Sequence, residues 1–249
     1  MIGVEHVGTV AIVKLSRSVT NPIDLDLVNE LGDAVERLRH DARTGAIVLS
    51  SASDKFFSIG WNIPDLYPLE IPDFRTFYQA FNRLTMELYT LAKPTVAAIT
   101  GHATAGGCIL PLCCDWRVIA EGRKLMGLNE VLLGVPVPYP GDRILRDLVG
   151  ARAAGEVMEI GAFYEPPALL EMGMVNEVVP LDEVRARAVE RARYMADLPA
   201  SAYSVIKRNR TEVVEAQVRS RLKEKEDSFL DLWYSPETRK RLEAAMERF

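Results

Sequence analysis

Cysteine and histidine are scarce in this chain of 249 residues, with three of each. Cys108, Cys113 and Cys114 lack the paired spacing of a zinc site, and two of them are adjacent inside an apolar run. They read as reduced, buried small hydrophobes, which fits a reducing compartment. His6, His40 and His102 stand far apart with no HExxH pair, so no metal site is expected. An excess of basic charge is also missing. Thirty Lys and Arg face 35 Asp and Glu, a net charge of −5, which argues against broad binding to nucleic acid or an anionic membrane. The most apolar segment, Pro94–Cys114, is broken by Gly101-His102 and by Gly106-Gly107, so a membrane span is not expected. The opening MIGVEHVGTVAIVKL goes straight into strand-like alternation, without the basic, apolar and small-residue regions of a secretory leader. A soluble, cytoplasmic protein is expected.

An apolar fraction of 48% is ample for a sizeable core, and 26% charge is ordinary for its surface. Val10, Ile12 and Val13 suggest a strand, and Leu27, Val28, Leu31, Val35 and Leu38 then recur at helical spacing behind Asp24. Ala46–Leu49 and Thr95–Ile99 read as short buried strands of a mostly parallel sheet, with a helix over Thr76–Leu91 between them. Cys108–Cys114 reads as a short apolar helix, followed by strands at Trp116–Ala120, Lys124–Leu128 and Val175–Val179. Helices are expected at Arg143–Val149, Ala151–Ile160 and Pro167–Met172. After Pro180 the pattern is helical almost throughout, over Leu181–Leu198, Ala202–Arg210, Val213–Leu232 and Pro236–Glu247. The expectation is an α/β body over residues 1–198 and a helical C-terminal section over 199–249.

Three segments carry candidate chemistry. In FFSIGWNIPDL, Phe56–Leu66, a strand end meets Gly60, which permits a sharp turn and leaves the Trp61 amide free to point into a site; a plain strand-to-loop turn fits as well. In Pro94–Ala120 a buried strand leads to Ala105-Gly106-Gly107, opening an apolar helix. Small residues there leave unpaired N–H groups accessible at its positive end, a place that can hold an oxyanion, or they simply allow tight packing. GHATAGG has neither the GxGxxG order nor a Gly-Lys-Ser/Thr ending, so it is not a nucleotide loop. In Leu125–Arg143, Glu130 is the only charge between Lys124 and Asp142. Exposed on a turn, it would be ordinary. Buried, it would have its pKa raised by desolvation, and a glutamate tuned to about 6–7 both takes and returns a proton near neutrality.

In this order and spacing the three segments resemble the crotonase (enoyl-CoA hydratase/isomerase) superfamily, and PPALLEMGMVNEVVP, Pro166–Pro180, is similar to that family's late helix–strand stretch. The resemblance implies a spiral of ββα units with a helical C-terminal section, binding acyl-CoA as a homotrimer or dimer of trimers. It puts the amides of Trp61 and Gly106 in the two oxyanion-hole positions. Ser58, Ile59 and Gly60 fall on the stretch beside the CoA adenine. Family hydratases carry two glutamates; here the first position is Ile109 and the second Glu130. One carboxylate suffices for a double-bond shift, and AGGC followed by an apolar residue, with GLNE, resembles the mitochondrial-type Δ3,Δ2-enoyl-CoA isomerases. No metal or redox cofactor is expected, coenzyme A being part of the substrate. Other enolate chemistry on the same fold, hydration or decarboxylation, and a non-catalytic homologue are the alternatives.

Two departures from the family stand out. Asn62 replaces an aspartate, and the proline-rich Val135–Pro140 replaces a glycine-rich loop, with Tyr139 either orienting a substrate or forming a rigid wall. His102 is expected to make a structural hydrogen bond, Asp115 to pair with Arg117 or Arg143, and Glu165 to serve as a first-turn acid. Lys207, Arg208 and Arg210 read as a solvated helix face with CoA phosphate contact as the alternative. Phe229, Leu232 and Trp233 read as a packing or subunit-contact stripe.

Overall fold

Two runs rich in β-branched residues, β1 (Ile2–Val7) and β2 (Val10–Leu15), pair antiparallel about the turn at Gly8 and Thr9. The structure is a computed structural model and describes residues 1–247. The next strands are β3 (Pro22–Ile23), β4 (Ala46–Ser51), β5 (Phe56–Ser58), β6 (Gly60–Trp61), β7 (Thr95–Ile99) and β8 (His102–Thr104). They are followed by β9 (Trp116–Ala120), β10 (Met126–Gly127), β11 (Phe163–Tyr164) and β12 (Glu177–Val179). The helices are α1 (Leu25–His40), α2 (Ile63–Leu66), α3 (Ile71–Tyr89), α4 (Gly106–Leu112) and α5 (Tyr139–Ile160). After these come α6 (Pro166–Glu171), α7 (Val184–Ala196), α8 (Ala200–Trp233) and α9 (Pro236–Met246).

The larger sheet has the order β1-β2-β4-β7-β9-β12 and is parallel from β2 onward. Its strands alternate between two buried faces, as a sheet covered on both sides must. Val13, Leu49, Ala97 and Ile99 turn into the main core, while Ile12, Val48, Val96 and Ala98 face α7, whose Ala188 and Ala192 pack with them in a second cluster. The smaller sheet, β11-β10-β8-β5, is parallel across β5, β8 and β10. Three times in succession the chain gives one strand to each sheet and then a helix: β4, β5, α3; β7, β8, α4; β9, β10, α5. This is the spiral of ββα units.

Gly101 joins β7 to β8 against the Lys55 backbone, where an added Cβ would lie 2.3 Å from the Lys55 carbonyl carbon. Backbone cannot move aside as a side chain can. Gly101→Ala is therefore expected to cost about 3 kcal/mol, the upper end of ordinary overpacking, as a lower urea midpoint. An unchanged midpoint would contradict the close approach.

Several boundaries differ from the sequence expectations for local reasons. The helix α3 begins at Ile71, with Pro72 in the first turn where no intrahelical N–H is lost. Over Tyr139–Ile160 the two expected helices form one run interrupted at Gly150, with φ 80° and ψ 165°. The segments expected at 202–210 and 213–232 join as α8, because Thr211-Glu212 contains no helix breaker. Lys124–Leu128 reduces to the two residues of β10 that find partners in β8 and β11. The helix α8 starts just after Pro199, and its Phe229, Leu230 and Trp233 enter the main core.

Candidate active site

The smaller sheet explains why three distant segments meet. Neighbouring parallel strands lie ~4.8 Å apart, so their C-terminal ends stand side by side. Phe56 pairs with His102, Ala103 with Met126, and Thr104 with Gly127. The turns leaving these strand ends therefore converge: Gly60-Trp61 beyond β5, Ala105-Gly106 beyond β8 and Asn129-Glu130 beyond β10. A cavity of about 690 Å³ opens at this edge, and Ile59, Trp61, Ala105, Gly106 and Glu130 are all on its wall.

Gly60 has φ +99°, and an added Cβ would lie 2.8 Å from the Thr104 oxygen and 3.3 Å from the Gly106 nitrogen. Only glycine lets the two turns touch in this way. The Asn62 amide donates to the Ile23 oxygen at 2.8 Å. Successive peptide groups of a strand point to opposite edges, so the Trp61 N–H faces away from β3. Gly106 opens α4, where the first N–H groups have no carbonyl partner within the helix. Its orientation is set by Ala105, held at φ +51° and ψ −129° while its amide donates to the Gly127 oxygen at 2.9 Å. A non-glycine residue in that region stores about 1–3 kcal/mol of strain.

Glu130 is 6% exposed, and its Oε2 is buried with no hydrogen-bond partner among the described residues. Burial pushes its pKa from 4.5 up to about 8, opposed only by its own backbone N–H. This is a larger rise than the sequence suggested, because among the described residues no cation or side-chain donor relieves the desolvation. Ile109, which the resemblance sets in place of a hydratase glutamate, is fully buried and faces Gly141, on which a Cβ would lie 2.9 Å from its Cδ1. It is not on the cavity wall.

The remaining candidates fall into place differently. The Ser58 hydroxyl is buried, donating to the Asn21 oxygen at 2.8 Å and accepting from the Gly60 amide at 3.1 Å. It braces the turn and is absent from the cavity wall, whereas the adjacent Ile59 is on it. His102 lines the cavity, and its Nδ1 accepts from the Leu125 amide at 2.9 Å. Burial, then Lys124 and Arg123, lower its pKa. Tyr139 is half-buried against the core and is not on the wall. Among the described residues no group of acids, cysteines and histidines is arranged to hold a metal, and no helix is long and apolar enough to cross a membrane.

Asp115 corrects two sequence expectations. Its carboxylate pairs with Lys207 at 2.6 Å and Arg210 at 2.5 Å, whereas Arg117 donates to the Met174 and Cys114 oxygens. Lys207 is 4% exposed, so it is no part of a solvated face. Sequence reasoning also missed Asn21, whose side-chain amide ties Ser51 Oγ at 2.9 Å to the Phe57 oxygen at 3.0 Å and so fixes β4 against β5. Its only signal was the turn-forming Asn21-Pro22 pair. Trp233, Arg241, Ala244 and Ala245, which bring α8 and α9 to the cavity, gave no sequence signal beyond helical spacing.

A spiral of ββα units followed by C-terminal helices is the crotonase fold. A family profile described as enoyl-CoA hydratase/isomerase matches residues 5–249, and the chain belongs to that family. Mouse mitochondrial enoyl-CoA delta isomerase 1 is 32% identical over 189 residues, 76% of this chain and 65% of the mouse protein, so the match spans just under two thirds of that relative. A short-chain-enoyl-CoA hydratase of Clostridium acetobutylicum is 30% identical over 76% of this chain and 72% of its own length. The crystal structure of human mitochondrial delta3-delta2-enoyl-CoA isomerase superposes with a TM-score of 0.95 at 27% identity, covering 99% of this chain and 97% of that one.

Proposed function

We propose that the protein shifts the double bond of a 3-enoyl-CoA thioester to the 2-position, with Glu130 carrying the proton. The observation that carries this reading is the solitary carboxylate: Glu130 faces the cavity, and the other carboxylate position is a buried isoleucine. The thioester oxygen accepts from the N–H groups of Trp61 and Gly106. Ionised Glu130 removes a proton from C2, and the electron pair spreads over the carbonyl as a dienolate stabilised by those two donors. The same side chain, now protonated, delivers the proton to C4, leaving the double bond between C2 and C3. Nothing is oxidised, and no water is consumed. The chemistry therefore needs no cofactor, and coenzyme A enters only as part of the substrate.

Hydration asks more of the site. A water must be held and activated for attack at C3, and Ile109 offers neither a hydrogen bond nor a base. The similarity to the Clostridium hydratase makes hydration the reading to test against. Pure protein is mixed with 3-enoyl-, 2-enoyl- and malonyl-type CoA esters and followed by ultraviolet absorbance and product analysis. Growth of the conjugated thioester band from the 3-enoyl ester is expected. Bleaching of that band from the 2-enoyl ester, or decarboxylation of the malonyl-type ester, without isomerisation would overturn the proposal. Ile59 beside the adenine, a homotrimer or dimer of trimers and a cytoplasmic location belong to the same reading. Light scattering of the pure protein tests the assembly.

A further inference from the structure

Trp61 is on the cavity wall, and its indole is packed on both sides. Six rings surround the indole at centroid distances of 5.1–6.2 Å and interplanar angles of 62–89°. Phe74, Phe77, Tyr78 and Phe81 come from α3, and Phe229 and Trp233 from α8. On its other side the pyrrole edge abuts Gly106, where an added Cβ would lie 2.6 Å from Cδ1 and 2.7 Å from Nε1. The indole therefore stands immediately beside the two amides that meet the thioester. Trp233 shares the same wall.

The character of this wall is apolar. Both indole Nε1 atoms are buried without hydrogen-bond partners among the described residues, and edge-on packing is the arrangement in which an N–H meets a ring face instead. Ile63, Leu133 and Val135 continue the wall, with Ala244 and Ala245 of α9 beside the charged Arg241, while Asn129, Thr104 and His102 are the polar part of the lining. The rings behind Trp61 are themselves 0–1% exposed, so they form close-packed core that does not yield to an entering chain.

We infer that Trp61, backed by Trp233, is the floor that limits the acyl chamber and makes a short apolar acyl chain the preferred group. The inference rests on the acyl-CoA reading above and adds a specificity residue to it. Each methylene that finds apolar wall raises affinity about fourfold. That gain ends where the chain meets the floor.

The test is calorimetric titration of the full chain with saturated acyl-CoA esters from butanoyl- to hexadecanoyl-CoA, which bind without reacting. Wild-type affinity is expected to climb about fourfold per methylene over the first members and then level off. In Trp61→Ala and Trp61→Leu the levelling point moves to longer chains. A role confined to holding the two amides would lower affinity by one factor at every length and leave the levelling point in place; that outcome overturns the inference. So does a wild-type series still climbing at hexadecanoyl-CoA. If Trp61→Ala does not fold, Trp61→Leu and the wild-type series decide. Failure of every ester to bind would instead reject the acyl-CoA reading, and binding without isomerisation would reject only the isomerase step.

Discussion

Glu130→Gln is expected to lower the rate of 3-enoyl-CoA isomerisation by about 10²–10⁴, the usual contribution of a positioned acid–base group, while acyl-CoA affinity stays close to wild type. The amide keeps the shape of the side chain and loses the proton-accepting oxygen. Two pH effects accompany it. With a free-enzyme pKa near 8, wild-type kcat/KM rises about tenfold per pH unit on the acid side of 8 and levels off above it. Stability runs the other way. The folded state keeps the Glu130 proton up to about pH 8, whereas the unfolded chain releases it near 4.5. Folding is therefore progressively opposed as pH rises between those values, by about 3 kcal/mol at pH 7. Urea unfolding of Glu130→Gln should show a variant more stable than wild type at neutral pH, the gap closing towards pH 4. Equal turnover, or a stability gap of opposite sign, would remove Glu130 from the mechanism.

Asp115→Ala is expected to be among the most destabilising single changes in the chain, at about 3–5 kcal/mol. The carboxylate accepts from the Thr95 amide at 2.8 Å as well as from Lys207 and Arg210. Burial alone would push its pKa up, but the two cations hold it below the ordinary value. Removing it leaves the Lys207 ammonium buried without a counter-charge among the described residues, with only the Lys93 oxygen at 3.2 Å to accept from it, while Arg210 reaches solvent. In Asp115→Ala/Lys207→Met both charges are gone, so the double variant should recover much of the loss. Urea midpoints of the single and double variants measure this coupling. If the single variant unfolds at the wild-type midpoint, the pair does not anchor α8 to the turn between α4 and β9.

These two residues mark how far the sequence could be read. The sheet strands and the helix behind Asp24 were legible because period-two and helical spacing are local, and Asp24 caps α1 as expected by accepting from the Leu27 amide. The three chemistry-bearing segments were legible as an ordered set, since their spacing reflects the repeated strand, strand, helix unit. Glu130 was harder. Its neighbours Val131 and Leu132 are 43% and 55% exposed while the carboxylate lies inside, the reverse of what local hydropathy suggests. What decides that inversion is distant in sequence: Glu130 turns inward to the cavity edge, near the buried Cys108 of α4. The Asp115 pairs were out of reach for a different reason: 92 and 95 residues separate Asp115 from Lys207 and Arg210, and no local pattern distinguishes a buried lysine from a solvated one. Ser58 was expected beside the ligand and instead turns away from the cavity at the end of β5, because which way a side chain turns on an irregular strand end depends on what packs there, here Asn21 and Gly107.

The most direct measurement is a titration of the Glu130 carboxyl itself, by carbon-13 NMR of side-chain-labelled glutamate with Glu130→Gln as the subtraction blank. A midpoint near 8 is the expected result. A midpoint in the ordinary carboxylate range, close to 4.5, would mean the side chain is in contact with water, and the dry base on which the proposed reaction depends would not exist.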